Sequence, residues 1–129
     1  MGCAVPLAMG FQISSPESPV VAFTGDAGLE MVLGELATLR DLKLPIVIVV
    51  FVDESLALIE LKQRRSDMPN LGVDFGPTNF PEVAVALGGE GRWISNRSDL
   101  IKEFKGAFDR QTFSLLACKI GYKVYDDRF

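Results

Sequence analysis

Residues 46–52 read Ile-Val-Ile-Val-Val-Phe-Val, seven apolar residues in an unbroken run. The run is too short to span a bilayer, which needs about 20 apolar residues. It is also too rich in Val and Ile to belong to a helix. A strand covered on both faces, as in a parallel sheet, is the reading that fits. Pro45 closes the connection before it, and Asp53 follows directly after it. Upstream, Leu29, Val32, Leu33, Leu36 and Leu39 recur at three- and four-residue steps, which predicts an amphipathic helix over 29–42. Before that helix, 19–24 (PVVAFT) is a β-branched run between Ser-Pro and Gly-Asp, hence another strand.

The same alternation continues downstream. Helical spacing covers 55–65, and a loop follows, marked by Met68-Pro69-Asn70, Gly72, Gly76-Pro77 and Asn79. A helix over 80–87 ends at Gly88-Gly89, and Trp93-Ile94 reads as a brief strand that buries part of the indole. Ser98 is the expected N-cap of a helix that buries Leu100, Ile101, Phe104 and Phe108. Residues 112–120 (TFSLLACKI) form the last strand. Strand-helix alternation predicts an open, doubly wound, mostly parallel α/β sheet, with residues 1–129 as a single domain.

Composition narrows the function classes. Forty-eight per cent of residues are hydrophobic and 23% are charged, a globular balance, and the net charge is −4. With a pI near 4.8, nonspecific nucleic-acid binding is disfavoured. A mean hydropathy of +0.24 leaves apolar surface for a partner. There is no histidine, which removes the commonest general base and the commonest zinc ligand together. Cys3 and Cys118 match no metal-ligand spacing and read as reduced thiols. Pro6 breaks the myristoylation pattern that begins at Gly2, and no basic-then-apolar leader opens the chain. The expectation is a cytoplasmic protein with no membrane span and no nucleic-acid partner.

In open α/β sheets, ligands bind beyond the carboxyl ends of the strands. Asp26 follows the first strand in Gly25-Asp26-Ala27-Gly28, and Asp53 ends the second, one strand-helix-strand unit later. If the strands are neighbours, their axes lie about 4.8 Å apart and both carboxylates reach one cation. Oxygen ligation favours Mg²⁺ or Ca²⁺. The amides of Ala27 and Gly28, at a helix start, suit an anion once a cation offsets the charge of Asp26. A metal-bridged phosphate or diphosphate is the ligand this predicts. The plainer alternative makes Asp26 a turn residue and Asp53 a helix cap.

These residues carry a resemblance. Gly25-Asp26-Ala27-Gly28, the helix with Glu35, Pro45 and Asp53 resemble the cofactor motif of thiamine-diphosphate enzymes, in particular the acetolactate synthase-like group. The approach 1–10 (MGCAVPLAMG) is similar to that group's Met-Gly-x-x-x-Pro-x-Ala-x-Gly, and 56–63 (LALIELKQ) is similar to its segment after the second acid. The resemblance implies the C-terminal, diphosphate-binding portion of a 2-oxo-acid decarboxylase or carboligase, a lyase or transferase. It implies that Asp26, Asp53 and the Ser55 backbone carbonyl ligate Mg²⁺. Gly25, Ala27 and Gly28 would hold the diphosphate. Met1 and Gly2 would contact the cofactor, Met1 as the wedge beneath its bent form.

The resemblance also implies no catalytic residue on this chain. The activating glutamate would come from a pyrimidine-binding domain or subunit, within a homo- or hetero-oligomer, so the chain alone would turn over no 2-oxo acid. Glu30 and Glu35 read as solvated or packing acids. The family precedent makes the 68–79 loop a segment that closes over cofactor. Three departures stand out: Ala27 for glycine, Val52 for the first asparagine, and Asp53 for the second. The tryptophan that acetolactate synthases proper carry past the motif is absent from Leu61-Lys62-Gln63, which argues against biosynthetic acetolactate formation. Two other function classes compete: a receiver-like phosphoacceptor centred on Asp53, and a non-catalytic assembly domain.

Overall fold

The computed structural model describes residues 1–121 and Asp126. Among the described residues, four strands form one wholly parallel sheet in the order β1-β2-β4-β3: β1 (Val21–Gly25), β2 (Val47–Val52), β3 (Glu90–Ile94) and β4 (Ser114–Lys119). Helix α1 (Ala4–Ser14) precedes them, and α2 (Asp26–Glu30), α3 (Glu35–Asp41), α4 (Ala57–Arg65), α5 (Phe80–Ala86) and α6 (Arg97–Ala107) connect them. The expected open parallel α/β sheet is what forms. Among the described residues, no helix is long and apolar enough to cross a membrane.

The run 46–52 explains the layering. Ile46, Ile48, Val50 and Val52 enter a core with Val5, Ala8 and Met9 of α1, Leu29 of α2, Leu36 and Leu39 of α3, and Phe80 and Ala84 of α5. Val47 and Val49 face the other way, into a smaller cluster with Leu116, Ile94 and Ala107, flanked by Leu100 and Phe104 of α6. Helices therefore lie on both faces, but α6 covers its face only in part. Phe23 is 60% and Phe51 38% exposed, and their rings stack at 6.3 Å on that side.

Several boundaries differ from the sequence expectations. The 29–42 helix is two helices, starting at Asp26 and interrupted over 31–34, where bonds such as Val32 N–H to Leu29 C=O and Ala37 N–H to Gly34 C=O step three residues. Gly34, with its poor helix propensity, sits at this break. The helix expected from Ser55 begins at Ala57, because Ser55 pairs instead with Asp74 in an isolated bridge. Strand β3 starts at Glu90, three residues before Trp93, and Trp93 stays 40% exposed. The N-cap of α6 is Asn96, not Ser98; the Asn96 side chain accepts from the Asp99 N–H. Ile101 and Phe108 are exposed rather than buried, and Phe108 meets Phe104 edge to face.

Helix α1 is the element that periodicity misses. Val5, Ala8, Met9 and Gln12 face inward, yet Leu7, Phe11 and Ile13 on the opposite side are also apolar and stand exposed. A helix apolar all round has no amphipathic signal to read. Pro6 falls in its first turn, where no intrahelical N–H bond is forfeited.

Candidate functional site

Parallel pairing of β1 with β2 sets Gly25 opposite Phe51, so Asp26 and Asp53 leave the same rim of the sheet. Asp26 is 3% exposed and its carboxylate gathers three backbone donors. Oδ1 accepts from the Ala27 N–H at 2.8 Å, and Oδ2 accepts from Asp53 at 3.1 Å and Glu54 at 2.7 Å. Asp26 is thus both the first residue of α2 and the staple that fixes the loop after β2. The plainer alternative makes it a turn residue. It does close a turn, but across a sequence gap no local turn spans.

Asp53 sits partly buried beside it. Burial pushes its carboxyl above the ordinary range, and the negative charge of Asp26 pushes it further the same way. Two acids at one strand rim repel, and a divalent cation removes the repulsion. The donor set is all oxygen, which suits a hard cation such as Mg²⁺ with phosphate and water completing the shell. Among the described residues there is no group of three or more His, Cys, Asp or Glu able to hold a metal, so such an ion would depend on those further oxygens. The chemistry of the donor set fits the implied group.

The raised Asp53 value predicts a pH dependence. The folded chain keeps this proton at a pH where the unfolded chain has lost it. The stabilising contribution is therefore full below the ordinary aspartate value of 3.8 and is lost as pH rises through the folded value. Asp53→Asn removes that slope and stabilises the metal-free protein at neutral pH, by less than about 1 kcal/mol because the group stays substantially solvated. Thermal melts of both proteins from acid to neutral pH check this; parallel curves would refute it.

The other expected residues gather around the pair. A cavity of about 200 Å³ is lined by Met1, Ala27, Asp53, Ser55, Leu56 and the first residues of α4. Met1 is two-thirds exposed and forms one wall. Ala27 lies within α2 and has no positive φ, which meets the condition for replacing glycine there. At Gly28 an added Cβ would come within 2.8 Å of Thr24 Oγ1, so the Thr24 hydroxyl would have to shift to admit a side chain there. Gly2 has φ +77° and lies against Met31 and Val32. Gly25 is the N-cap of α2. Val52, at the first asparagine position, is buried in the core instead of offering a hydrogen bond.

A larger cavity of about 570 Å³ opens beyond Glu54, over the ends of β3 and β4. Its Trp93 N–H already donates to Asn79, and its Lys119 ammonium already lies 5.4 Å over the Trp93 ring. Both acids belong to the smaller cavity's neighbourhood. Residues that sequence reasoning missed lie in the loop before α5. Leu56 N–H donates to Val73 C=O at 2.7 Å, Phe75 N–H to Glu54 C=O at 3.2 Å, and the Ser55 hydroxyl to Asp74 Oδ1 at 2.9 Å. Thr78 donates to the Glu30 carboxylate, so Glu30 is a clasp rather than a solvated acid. The Val-Asp-Phe triplet at 73–75, apolar-polar-apolar, is the only trace of this pairing in the sequence.

The chain is similar to known proteins over most of its length. Residues 1–118 match the family model described as "Thiamine pyrophosphate enzyme, C-terminal TPP binding domain". The chain is 31% identical over 131 residues to acetolactate synthase isozyme 1 large subunit of Escherichia coli, covering 97% of this chain and 23% of that protein. It is 30% identical over 107 residues to a putative thiamine pyrophosphate-containing protein of Bacillus subtilis, covering 83% and 19%. Among solved structures, a thiamine diphosphate-dependent 4-hydroxybenzoylformate decarboxylase of Rhodococcus jostii superposes with a TM-score of 0.88 at 21% identity, covering 95% of this chain and 24% of that one. The chain spans about a fifth of the length of these curated relatives.

Proposed function

The chain belongs to the family of C-terminal thiamine pyrophosphate-binding domains of thiamine pyrophosphate enzymes, and from that membership we propose that it anchors the cofactor's diphosphate through a Mg²⁺ ion. Asp26 and Asp53 ligate the ion through their side chains and Ser55 through its backbone carbonyl. The Ala27 and Gly28 amides hold the diphosphate, while Met1 supports the cofactor from the small cavity. The observation that carries this reading is the placement of Asp53 against Asp26, two like charges whose repulsion a divalent ion relieves.

When bound, thiamine diphosphate supplies the nucleophilic carbon that attacks a 2-oxo acid; the protein supplies placement and electrostatics. What this chain's own residues do is bind and orient. The acid that activates the cofactor belongs, on this reading, to a pyrimidine-binding domain or subunit, in keeping with how little of its relatives this chain spans. The substrate class is a small 2-oxo acid handled by decarboxylation or carboligation. Family membership leaves no place for the receiver-like reading.

Metal dependence tests the proposal. In the intact protein that carries this domain, thiamine diphosphate binds with Mg²⁺ and is released by EDTA, as calorimetry or a thermal-shift titration would register. A protein that binds neither, while folded, returns the chain to the class of assembly domains.

A further inference from the structure

The antiparallel contact between 54–56 and 73–75 has a definite register. Leu56 bonds Val73 and Phe75 bonds Glu54, which leaves Ser55 and Asp74 as the directly opposed pair that exchanges no backbone bond. In such a pair the two residues turn their own N–H and C=O groups away from each other, and their side chains approach closely. Ser55 therefore keeps its carbonyl on the side away from the 73–75 segment. Its hydroxyl closes onto Asp74 Oδ1 at 2.9 Å. A slip of one residue would draw the Ser55 carbonyl into the ladder and turn its side chain to the other face.

The neighbouring backbone needs such a hold. Glu54 has φ +59°, a left-handed conformation that a residue with a Cβ adopts only where its surroundings impose it. Asp26 grips the Glu54 N–H from one side and the Phe75 N–H bonds the Glu54 C=O from the other. Thr78, a few residues on, reaches Glu30 of α2. The segment thus spans the two elements that carry Asp26 and Asp53. Val73 is 2% exposed and anchors it, whereas Asp74 lies at the surface, where a carboxylate has no packing task.

From this register we propose that Asp74 is a positioning residue for the cation: by holding the Ser55 hydroxyl it keeps the Ser55 carbonyl turned out of the ladder and free to ligate. The inference rests on the cofactor-anchoring reading above. In the intact protein, with thiamine diphosphate in excess, Mg²⁺ is titrated by calorimetry into wild type, Asp74→Ala, Ser55→Ala, the double variant and Asp74→Asn. Metal-supporting partners outside the ligand shell typically contribute 10–100-fold in affinity, so each alanine variant should weaken Mg²⁺ binding about tenfold or more. The double variant should be no weaker than either single, since both remove one bond. Asp74→Asn keeps the acceptor oxygen and should bind close to wild type. Wild-type affinity in Asp74→Ala, additive losses in the double variant, or an Asp74→Asn as weak as the alanine would each overturn the inference. If wild type itself takes up no Mg²⁺ with thiamine diphosphate, or Asp26→Ala binds as well as wild type, the anchoring reading falls and takes this one with it. Loss in Asp26→Ala with none in Asp74→Ala overturns the positioning role alone.

Discussion

Asp26→Ala should abolish retention of thiamine diphosphate and Mg²⁺ and lower the melting temperature in one step. The two effects have separate causes. Opposite unit charges 4 Å apart interact by about 4 kcal/mol at the effective dielectric of a protein surface, so under the proposed ligation the loss of one of two carboxylates weakens binding of a divalent ion at least about a hundredfold. The stability loss comes from the three backbone donors that Asp26 satisfies, at Ala27, Asp53 and Glu54. Charge-assisted bonds of this kind are worth about 1.5–3 kcal/mol each. Relief of the repulsion with Asp53 offsets less than about 1 kcal/mol of their loss, leaving a net cost of about 4 kcal/mol, or about 15 °C for a domain of this size. Far-UV circular dichroism should stay that of the folded chain below the transition. Asp26→Asn separates the causes: one oxygen still accepts from Asp53 and Glu54, so about half the stability returns, while affinity stays low because the charge is gone. Normal cofactor binding by a folded Asp26→Ala protein would remove the basis of the proposed function.

Gly91→Ala should be the most destabilising single-methyl change and leave the cofactor site intact. Gly91 is buried on β3 beneath the first turn of α5. A Cβ there would lie 2.3 Å from the Pro81 carbonyl oxygen and 2.4 Å from Pro81 Cα. Both atoms are backbone, so no rotamer relieves the clash and the whole start of α5 must lift off the sheet. Phe80 and Ala84, which α5 contributes to the core, would move with it. Overpacking usually costs about 1–3 kcal/mol, and rigid backbone on both sides puts this case at about 3 kcal/mol or above, a drop of about 10 °C or more. Gly91 pairs with Leu115 toward the amino ends of the strands, away from the rim of Asp26 and Asp53. Mg²⁺-dependent affinity measured well below the transition should therefore match wild type. An unchanged melting temperature would mean that α5 is not held against β3 as described.

Much of this was legible in the chain because the relevant forces are local. The run 46–52 has no polar residue to turn toward water, so it can only be an inner strand, and Leu29, Leu36 and Leu39 can only point one way from a helix. Gly25-Asp26 and Asp53 could be placed at the same rim because parallel strands put their carboxyl ends together. Helix α1 escaped because Leu7, Phe11 and Ile13 make its outer side as apolar as its inner side, and period cannot separate two equal faces. The spacing puts Phe108 and Ile101 inside, where the structure leaves them exposed, for the converse reason: apolar spacing marks a face, but not whether anything covers it.

Sequence by itself determined the alternation, the parallel sheet and the pair of aspartates, since hydrophobic period and residue chemistry are properties of neighbours in the chain. Only the tertiary structure decided how those aspartates are held. Asp26 staples the amides of Asp53 and Glu54, and the 73–75 segment leaves the Ser55 carbonyl turned outward. Hydrogen bonds between residues so distant along the chain form only once the loops are closed by folding. Their register is set by the geometry of that closure, which no local pattern of side chains encodes.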